Sequence, residues 1–268
     1  MADKDPAAVD PRVRQFEEDG FLVIPDALAP ETVGRLREGL ERAFAEPCEE
    51  AEAVYGPELA RIWRPRMFER GLEFEEIVDN PRVIDLVEAL LGDDCHLIAM
   101  SALRTGPGDG ISSWHADEVV RFPRPAGVPL DPRIPMPCFV LNFNYYLCDV
   151  DEELGPTQFV PGSHRSGRAP GPEDRDGDGN PVYDGRGSVS AVGPAGTAVL
   201  WNDQTWHRGA PNRSRDRVRW VQQAPYGRRF IAQRFYPFVN YRMPEAVLER
   251  AGPRRRRLFG LHPAGAYG

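Results

Sequence analysis

Ser113-Trp114-His115-Ala116-Asp117-Glu118 is the stretch on which the reading of this chain turns. In a segment with strand-like flanks, a His and an Asp two residues apart project from the same face. An imidazole and a carboxylate converging on one point can hold a divalent metal, but two ligands hold it poorly. A second His far downstream would complete the two-histidine, one-carboxylate face that leaves metal positions open for chemistry. The rest of the chain is therefore read for that third ligand and for a scaffold able to bring it there.

Working outward, the segments around this motif read as strands separated by Gly and Pro: His96–Leu103, Ser112–Ala116, Cys138–Leu147, Thr157–Val160, Thr197–Trp201 and Arg217–Ala224. Several short strands with turn signals between them point to a sandwich, jelly roll or barrel. Upstream the pattern is helical. Arg12–Glu18 predicts a short helix before an apolar strand at Gly20–Pro25. A second helix opens at Pro30, carries Val33, Leu36, Leu40 and Phe44 on one face, and ends at Pro47. A third opens at Pro81 and stops at Gly92. Glu49–Arg70 reads as charged and irregular, with Trp63, Met67 and Phe68 as core or cavity residues. Helices first and strands afterwards give an α+β outline with a mainly β core. No repeat or composition break divides it, so residues 1–268 are expected to form one domain: helical layer about 10–92, β core about 96–225, C-terminal extension 226–268.

A length of 268 residues and a 41% hydrophobic fraction suit a globular chain with a real core. The net charge of −8 argues against nucleic acid as a partner, because phosphate binding needs a basic face. No run approaches the ~20 apolar residues of a membrane span, and Met1–Asp10 lacks an apolar h-region, so a cytoplasmic protein is expected. Cys48, Cys95, Cys138 and Cys148 are widely spaced and form no C-x-x-C pair, which favours reduced thiols. Lys4 is the only lysine and sits in a polar tail, which excludes Schiff-base chemistry.

Five histidines compete for the third ligand position. His207 follows an apolar strand and a tight polar turn, on a strand that can pair back across a barrel and face His115. His164 follows Pro-Gly-Ser at a turn and reads as a loop-stabilising residue. His96 and His262 lack an evident partner. Beyond His207 comes Asn212-Arg213-Ser214-Arg215-Asp216-Arg217-Val218-Arg219-Trp220. An arginine on that strand can reach the same interior and grip a carboxylate bidentately. A metal face with a buried arginine is the minimum equipment for a keto-acid co-substrate.

These residues resemble the phytanoyl-CoA dioxygenase superfamily of Fe(II)- and 2-oxoglutarate-dependent oxygenases. The resemblance runs from Phe16-Glu17-Glu18-Asp19-Gly20-Phe21-Leu22-Val23-Ile24-Pro25 to about Ala224. It includes His115-Ala116-Asp117, the Gly155-Pro156-Thr157-Gln158-Phe159-Val160-Pro161-Gly162-Ser163-His164 stretch, Trp206-His207-Arg208-Gly209 and Pro211-Asn212-Arg213-Ser214. It implies a double-stranded β-helix (jelly-roll, cupin-like) with N-terminal helices packed on it. It also implies His115, Asp117 and His207 as iron ligands and Arg219 as the 2-oxoglutarate anchor. Arg217 has the same strand parity, and only family spacing separates the two. Thr157 matches a threonine that binds 2-oxoglutarate in some relatives. A serine that helps in some relatives is replaced here by Gly209. Relatives that halogenate lack the carboxylate ligand; Asp117 is intact, which points to hydroxylation. The expected reaction uses O₂, converts 2-oxoglutarate to succinate, and oxidises a C–H bond of a small organic metabolite. Two rivals are a non-catalytic metal- or ligand-binding barrel and an O₂-independent hydrolase or epimerase.

Other signals rank lower. Asp174–Asn180 has the start of a calcium loop, but Gly185 stands where the bidentate Glu belongs, so a solvated acidic turn is expected. Arg254–Arg257 reads as a solvated surface, with an anion clamp as the alternative. The long loops Glu118–Pro137 and Arg165–Ser188 flank the motifs and are expected to act as lids.

Overall fold

Alternation along the strands of a computed structural model sorts the side chains onto two sheet faces, and the site depends on that sorting. The structure describes residues 10–117, 128, 131, 133–134 and 136–263. The strands are β1 (Phe21–Ile24), β2 (Trp63–Pro65), β3 (His96–Leu97), β4 (Ser101–Thr105), β5 (Val140–Tyr146), β6 (Thr157–Phe159), β7 (Val189–Ala191), β8 (Ala198–Asn202), β9 (His207–Gly209), β10 (Arg219–Gln223) and β11 (Tyr226–Gly227). The larger sheet has eight strands with the path β1-β8-β5-β10-β4-β2, and β11 joins β5 to β3; the smaller is β7-β6-β9. Every pairing is antiparallel.

On the larger sheet Ala198, Leu200, Phe143, Tyr145 and Trp220 point outward into the main core, beneath helices α1 (Pro11–Asp19), α2 (Pro30–Ala45) and α5 (Ile84–Leu91). Their neighbours Val199, Trp201, Tyr146 and Val221 point inward and pack with Phe159 of the smaller sheet. The period of two therefore places Arg219, two residues before Val221, on the interior side.

Local chemistry explains the helices. Asp10 caps α1 by accepting from the Arg12 N–H at 2.9 Å, Pro11 opens it, and Gly20 closes it in the left-handed region. In α2 the buried stripe Val33, Leu36, Leu40 and Ala43 lies on the sheet. α5 begins at Ile84 rather than at Pro81, after a turn in which the Asn80 carbonyl accepts from Val83 and Ile84.

Three expectations are corrected. The stretch read as irregular holds helix α3 (Glu49–Ala60), kinked at Gly56 ahead of Pro57. It buries only Ala51 and Ala60, so it has no apolar stripe to reveal it; Glu49, Glu50 and Glu52 suit its positive N-terminal end. His96–Leu103 is two strands, because the register against the neighbouring strand slips by one residue between Gln223↔Ser101 and Tyr226↔Leu97, next to Pro225, which has no N–H for the ladder. Ser112–Ala116 is no strand; it makes a single antiparallel bridge, His115 with His207.

The C-terminal part carries α6 (Glu245–Arg250) and α7 (Pro253–Leu258), after the short helix α4 (Leu72–Glu76) nearer the start. Leu258 and Phe259 are buried in the main core. The basic run lies at the surface, with Arg254 and Arg256 exposed, and it is internally paired rather than an anion clamp: Arg254 binds Asp85 and Glu88, Arg255 binds Asp79 and Arg257 binds Glu88. His96 and His262 also prove to be partners, His96 Nδ1 lying 2.9 Å from His262 Nε2. No helix among the described residues is long and apolar enough to cross a membrane.

Candidate metal centre and co-substrate pocket

The two strand-like arms that carry the site are zipped together by their backbones. His115 N–H donates to the His207 carbonyl at 3.0 Å, His207 N–H returns the bond at 2.9 Å, and Asp117 N–H donates to Asp203 at 2.9 Å. The pairing brings residues 92 positions apart in sequence face to face, with ring centroids 4.3 Å apart.

Each imidazole is held in the same tautomer. His115 Nδ1 lies 2.8 Å from the Ser113 carbonyl and His207 Nδ1 lies 2.8 Å from the Thr205 carbonyl. A carbonyl can only accept, so Nδ1 carries the proton and Nε2 presents its lone pair. Asp117 Oδ1 is 4.0 Å from His115 Nε2, Asp117 Oδ2 is 3.7 Å from His207 Nε2, and the ligand atoms all lie within 4.8 Å of one another. Ligand bonds of about 2.1 Å at right angles would space these atoms about 3 Å apart, so small side-chain rotations close the set onto an ion. Burial pulls the His207 pKa below its ordinary value, against the opposing pull of Asp117, and favours the neutral ligand form. Asn142, inward on β5, donates to Asp117 Oδ2 at 2.6 Å and aims the carboxylate. Among the described residues this is the one cluster of three such groups.

Beside it is a small cavity of about 80 Å³ that touches His115, His207, Thr157, Gly209 and Arg219. Arg219 is buried, and its Nη2 lies 3.4 Å from Thr105 Oγ1. Its Nε and Nη1 have no hydrogen-bond partner. Burial pulls the guanidinium pKa down, as expected of a charge with no counter-charge beside it. Two unspent, buried donors next to a metal-type cluster fit a carboxylate-bearing co-substrate. Thr157 is buried in the same cavity, directly across the β6–β9 ladder from Gly209. A Cβ at Gly209 would sit 3.6 Å from Arg219 Nη2, so the serine-to-glycine difference leaves open space beside the guanidinium. Arg217 lies outside β10, half-exposed, and is bound to Asp151 and Glu153. Parity could not divide the two arginines, because alternation holds only inside the strand, which begins at Arg219.

The quoted motifs around the site act as braces. Ser163 Oγ donates to the Val160 carbonyl and accepts from Trp206 N–H, which fixes the residue before His207. His164 is buried, with Nε2 3.2 Å from the Glu17 carbonyl, and burial lowers its pKa to about 4. Gly20 permits that seam: a Cβ there would come within 2.4 Å of His164 Nδ1. Asn212 Nδ2 donates to the Thr105 and Arg217 carbonyls, fastening the loop that delivers Arg219. Asp174–Asn180 is a turn, in which Asp176 accepts from Asp178 and Asn180 N–H while Arg168 takes Asp174.

A larger cavity of about 410 Å³ also touches His115, Asp117 and His207. Its outer walls come from α3, β2 and residues 234–238, including Tyr55, Trp63, Phe235 and Phe238. Of these only Trp63 was anticipated near a cavity; Met67 and Phe68 are core. Arg165–Ser188, expected to be a lid, lines neither cavity. It packs behind the site, where Trp206 Nε1 donates to the Arg168 carbonyl and Tyr183 meets Trp206 edge-on. Most of the other expected lid, Glu118–Pro137, lies outside the described residues.

An antiparallel β scaffold that presents a His-Asp-His face next to a buried, unpaired guanidinium defines a class: the non-heme iron oxygenases that use a keto-acid co-substrate. Residues 16–220 match the family model described as phytanoyl-CoA dioxygenase (PhyH), and the chain belongs to that family. It is an Fe(II)- and 2-oxoglutarate-dependent dioxygenase. Among curated proteins it is similar to dioxygenase af480 of Aspergillus fumigatus, 23% identical over 256 residues, covering 93% of this chain and 76% of the relative. Among solved structures it is similar to HygX from Streptomyces hygroscopicus with nickel and 2-oxoglutarate bound, with a TM-score of 0.62, 18% identity, and 84% and 88% of the two chains covered. The epimerase SnoN in complex with Fe³⁺, alpha-ketoglutarate and nogalamycin RO aligns with a TM-score of 0.61 at 21% identity, covering 86% and 88%.

Proposed function

We propose that this chain hydroxylates a C–H bond of a small organic metabolite, with His115, Asp117 and His207 holding Fe(II) and Arg219 holding the distal carboxylate of 2-oxoglutarate. The observation that carries this reading is Arg219: a buried guanidinium with two partnerless donors, sharing a cavity with both histidines. A hydrolase or a purely structural barrel has no use for such a charge, which is costly to bury without a partner. Bound there, iron with 2-oxoglutarate and O₂ supplies the oxidising power, and the keto acid leaves as succinate and CO₂.

The protein's own residues do the positioning. The two Nε2 atoms are presented by backbone carbonyls on Nδ1, so little ordering remains when the ion binds. Asn142 keeps one Asp117 oxygen occupied, which leaves the other directed toward His115. Thr157, across from Gly209, offers a hydroxyl in the Arg219 pocket and is read as a second co-substrate contact. The aromatic walls of the larger cavity exclude water from the reacting C–H bond. The intact carboxylate of Asp117 favours hydroxylation over halogenation, and nogalamycin RO in the SnoN complex supports a small-molecule substrate class. The two antiparallel sheets are read as the walls of a double-stranded β-helix in one domain over residues 1–268, and a cytoplasmic location goes with the lack of a spanning helix among the described residues.

The test is spectroscopic. Under anaerobic conditions, Fe(II) and 2-oxoglutarate together are expected to give a visible metal-to-ligand charge-transfer band, and O₂ with substrate then releases succinate. Bound iron with no such band would overturn the co-substrate assignment.

A further inference from the structure

The larger cavity can be questioned by asking which of its polar groups are already spent. Ser101 Oγ donates to Gln223 Oε1 at 2.9 Å, and Gln223 Nε2 donates to Asn144 Oδ1 at 3.1 Å. Asn142 is committed to Asp117. Arg66 is held at both ends of its fork: Nη2 pairs with Glu50 Oε2 at 2.6 Å and Nη1 donates to the Tyr236 carbonyl, while Nε lies 3.3 Å from Glu69 without a hydrogen bond. Apart from Arg66 Nε and the indole N–H groups of Trp63 and Trp201, which are buried and also lack hydrogen-bond partners, two groups of the metabolite cavity remain. Glu50 Oε1 is buried and has no hydrogen-bond partner. The Arg234 guanidinium stands at the exposed rim and enters no hydrogen bond or ion pair among the described residues.

Both groups line this cavity together with Tyr55, which shares α3 with Glu50. The Tyr55 phenol is raised in pKa first by burial, and Arg234 and Glu50 then act on it with opposite signs. Tyr55 stacks on Trp63 with centroids 4.7 Å apart, so the wall beside these charges is a flat aromatic surface. A carboxylate oxygen without a donor and a guanidinium without an acceptor, next to a stacked aromatic pair, are complementary to one kind of ligand.

We propose that the substrate is a ring-bearing apolar molecule with a dipolar head group, whose N–H or ammonium is taken by Glu50 and whose carboxylate is taken by Arg234. This rests on the oxygenase reading above, since it assigns the substrate end of the same cavity. Glu50 and Arg234 are thus specificity-determining residues.

The test uses four indoles that differ only in the head group: tryptophan (donor and acceptor), tryptamine (donor), indole-3-propionate (acceptor) and 3-ethylindole (neither). Binding to the anaerobic Fe(II)- and 2-oxoglutarate-loaded protein is measured by calorimetry. Tryptophan is expected to bind at least about tenfold more tightly than either single-headed probe, and 3-ethylindole weakest, because a site built for a polar group discriminates strongly against its absence. Glu50→Gln should cost the two amine probes about tenfold and spare indole-3-propionate. Arg234→Gln should cost the two carboxylate probes, tryptophan and indole-3-propionate, about tenfold and spare tryptamine. Equal affinities, a uniform loss for all four in either variant, or no binding at about 5 mM overturns the proposal. The charge-transfer band is the control: its absence in the wild type defeats the oxygenase reading, whereas a normal band without head-group preference defeats only this one.

Discussion

Replacing Arg219 with methionine removes the guanidinium while keeping most of the side-chain length. In the structure its Nε and Nη1 are buried and partnerless, so two charge-assisted hydrogen bonds to a carboxylate are available. At about 1.5–3 kcal/mol each they amount to about 3–6 kcal/mol. With about 1.4 kcal/mol per tenfold, 2-oxoglutarate affinity should fall about 10²–10⁴-fold. The upper part of that range is favoured, since the guanidinium without co-substrate is a buried charge lacking a counter-charge and binding relieves it. Anaerobic titration of the Fe(II) protein, following the charge-transfer band, measures the change directly. The same reasoning sets a second sign: without co-substrate, Arg219→Met should be at least as stable to urea as the wild type, and 2-oxoglutarate should no longer stabilise it. A loss below about tenfold in a folded, iron-bound variant would refute the assignment. Arg217→Gln is the matched control and should titrate like the wild type, because Arg217 is spent on Asp151 and Glu153 at the surface.

Asp117→Ala should abolish succinate-coupled hydroxylation and lower iron content while the fold survives, because the side chain is about one-third exposed; retained hydroxylation would mean that another carboxylate serves the metal. Asn142→Ala should weaken iron affinity or turnover about 10–100-fold without unfolding the protein, the size expected when a ligand's supporting hydrogen bond is removed; metal titration by calorimetry reads it. His164 gives a pH prediction. Its pKa is about 4 in the fold against an ordinary value near 6.5, so below pH 6.5 the unfolded chain binds a proton that the folded chain refuses. Stability from this group is complete above about pH 6.5 and is lost progressively down to pH 4, about 2 kcal/mol having gone by pH 5. Urea melts at pH 7.5 and pH 5 should show that loss, and His164→Gln should remove most of it.

Much of the site was legible because its signals are local. His115-Ala116-Asp117 needs only a spacing of two, and the glycines and Ser163 of the PGSH stretch mark a turn whatever lies around it. The alternation of Val199 and Trp201 against Ala198 and Leu200 marks a two-faced strand in the same way. Helix α3 was illegible for the converse reason: it rests on two buried alanines and a charged surface, so periodicity had nothing to register. The lid expectation for Arg165–Ser188 was wrong because adjacency in sequence says nothing of which side of a strand a loop folds to.

Sequence by itself determined the chemistry on offer: which histidines, which carboxylate, which arginines, and an α+β chain of short strands, since these follow from residue type and short-range period. Only the tertiary structure decided which arginine is buried and unpaired, and that His96 finds His262 across 166 positions. It also decided that α3 and residues 234–238, rather than Arg165–Ser188, wall the larger cavity. Those outcomes depend on burial and on contacts between distant segments, and desolvation and pairing exist only once the chain has closed on itself.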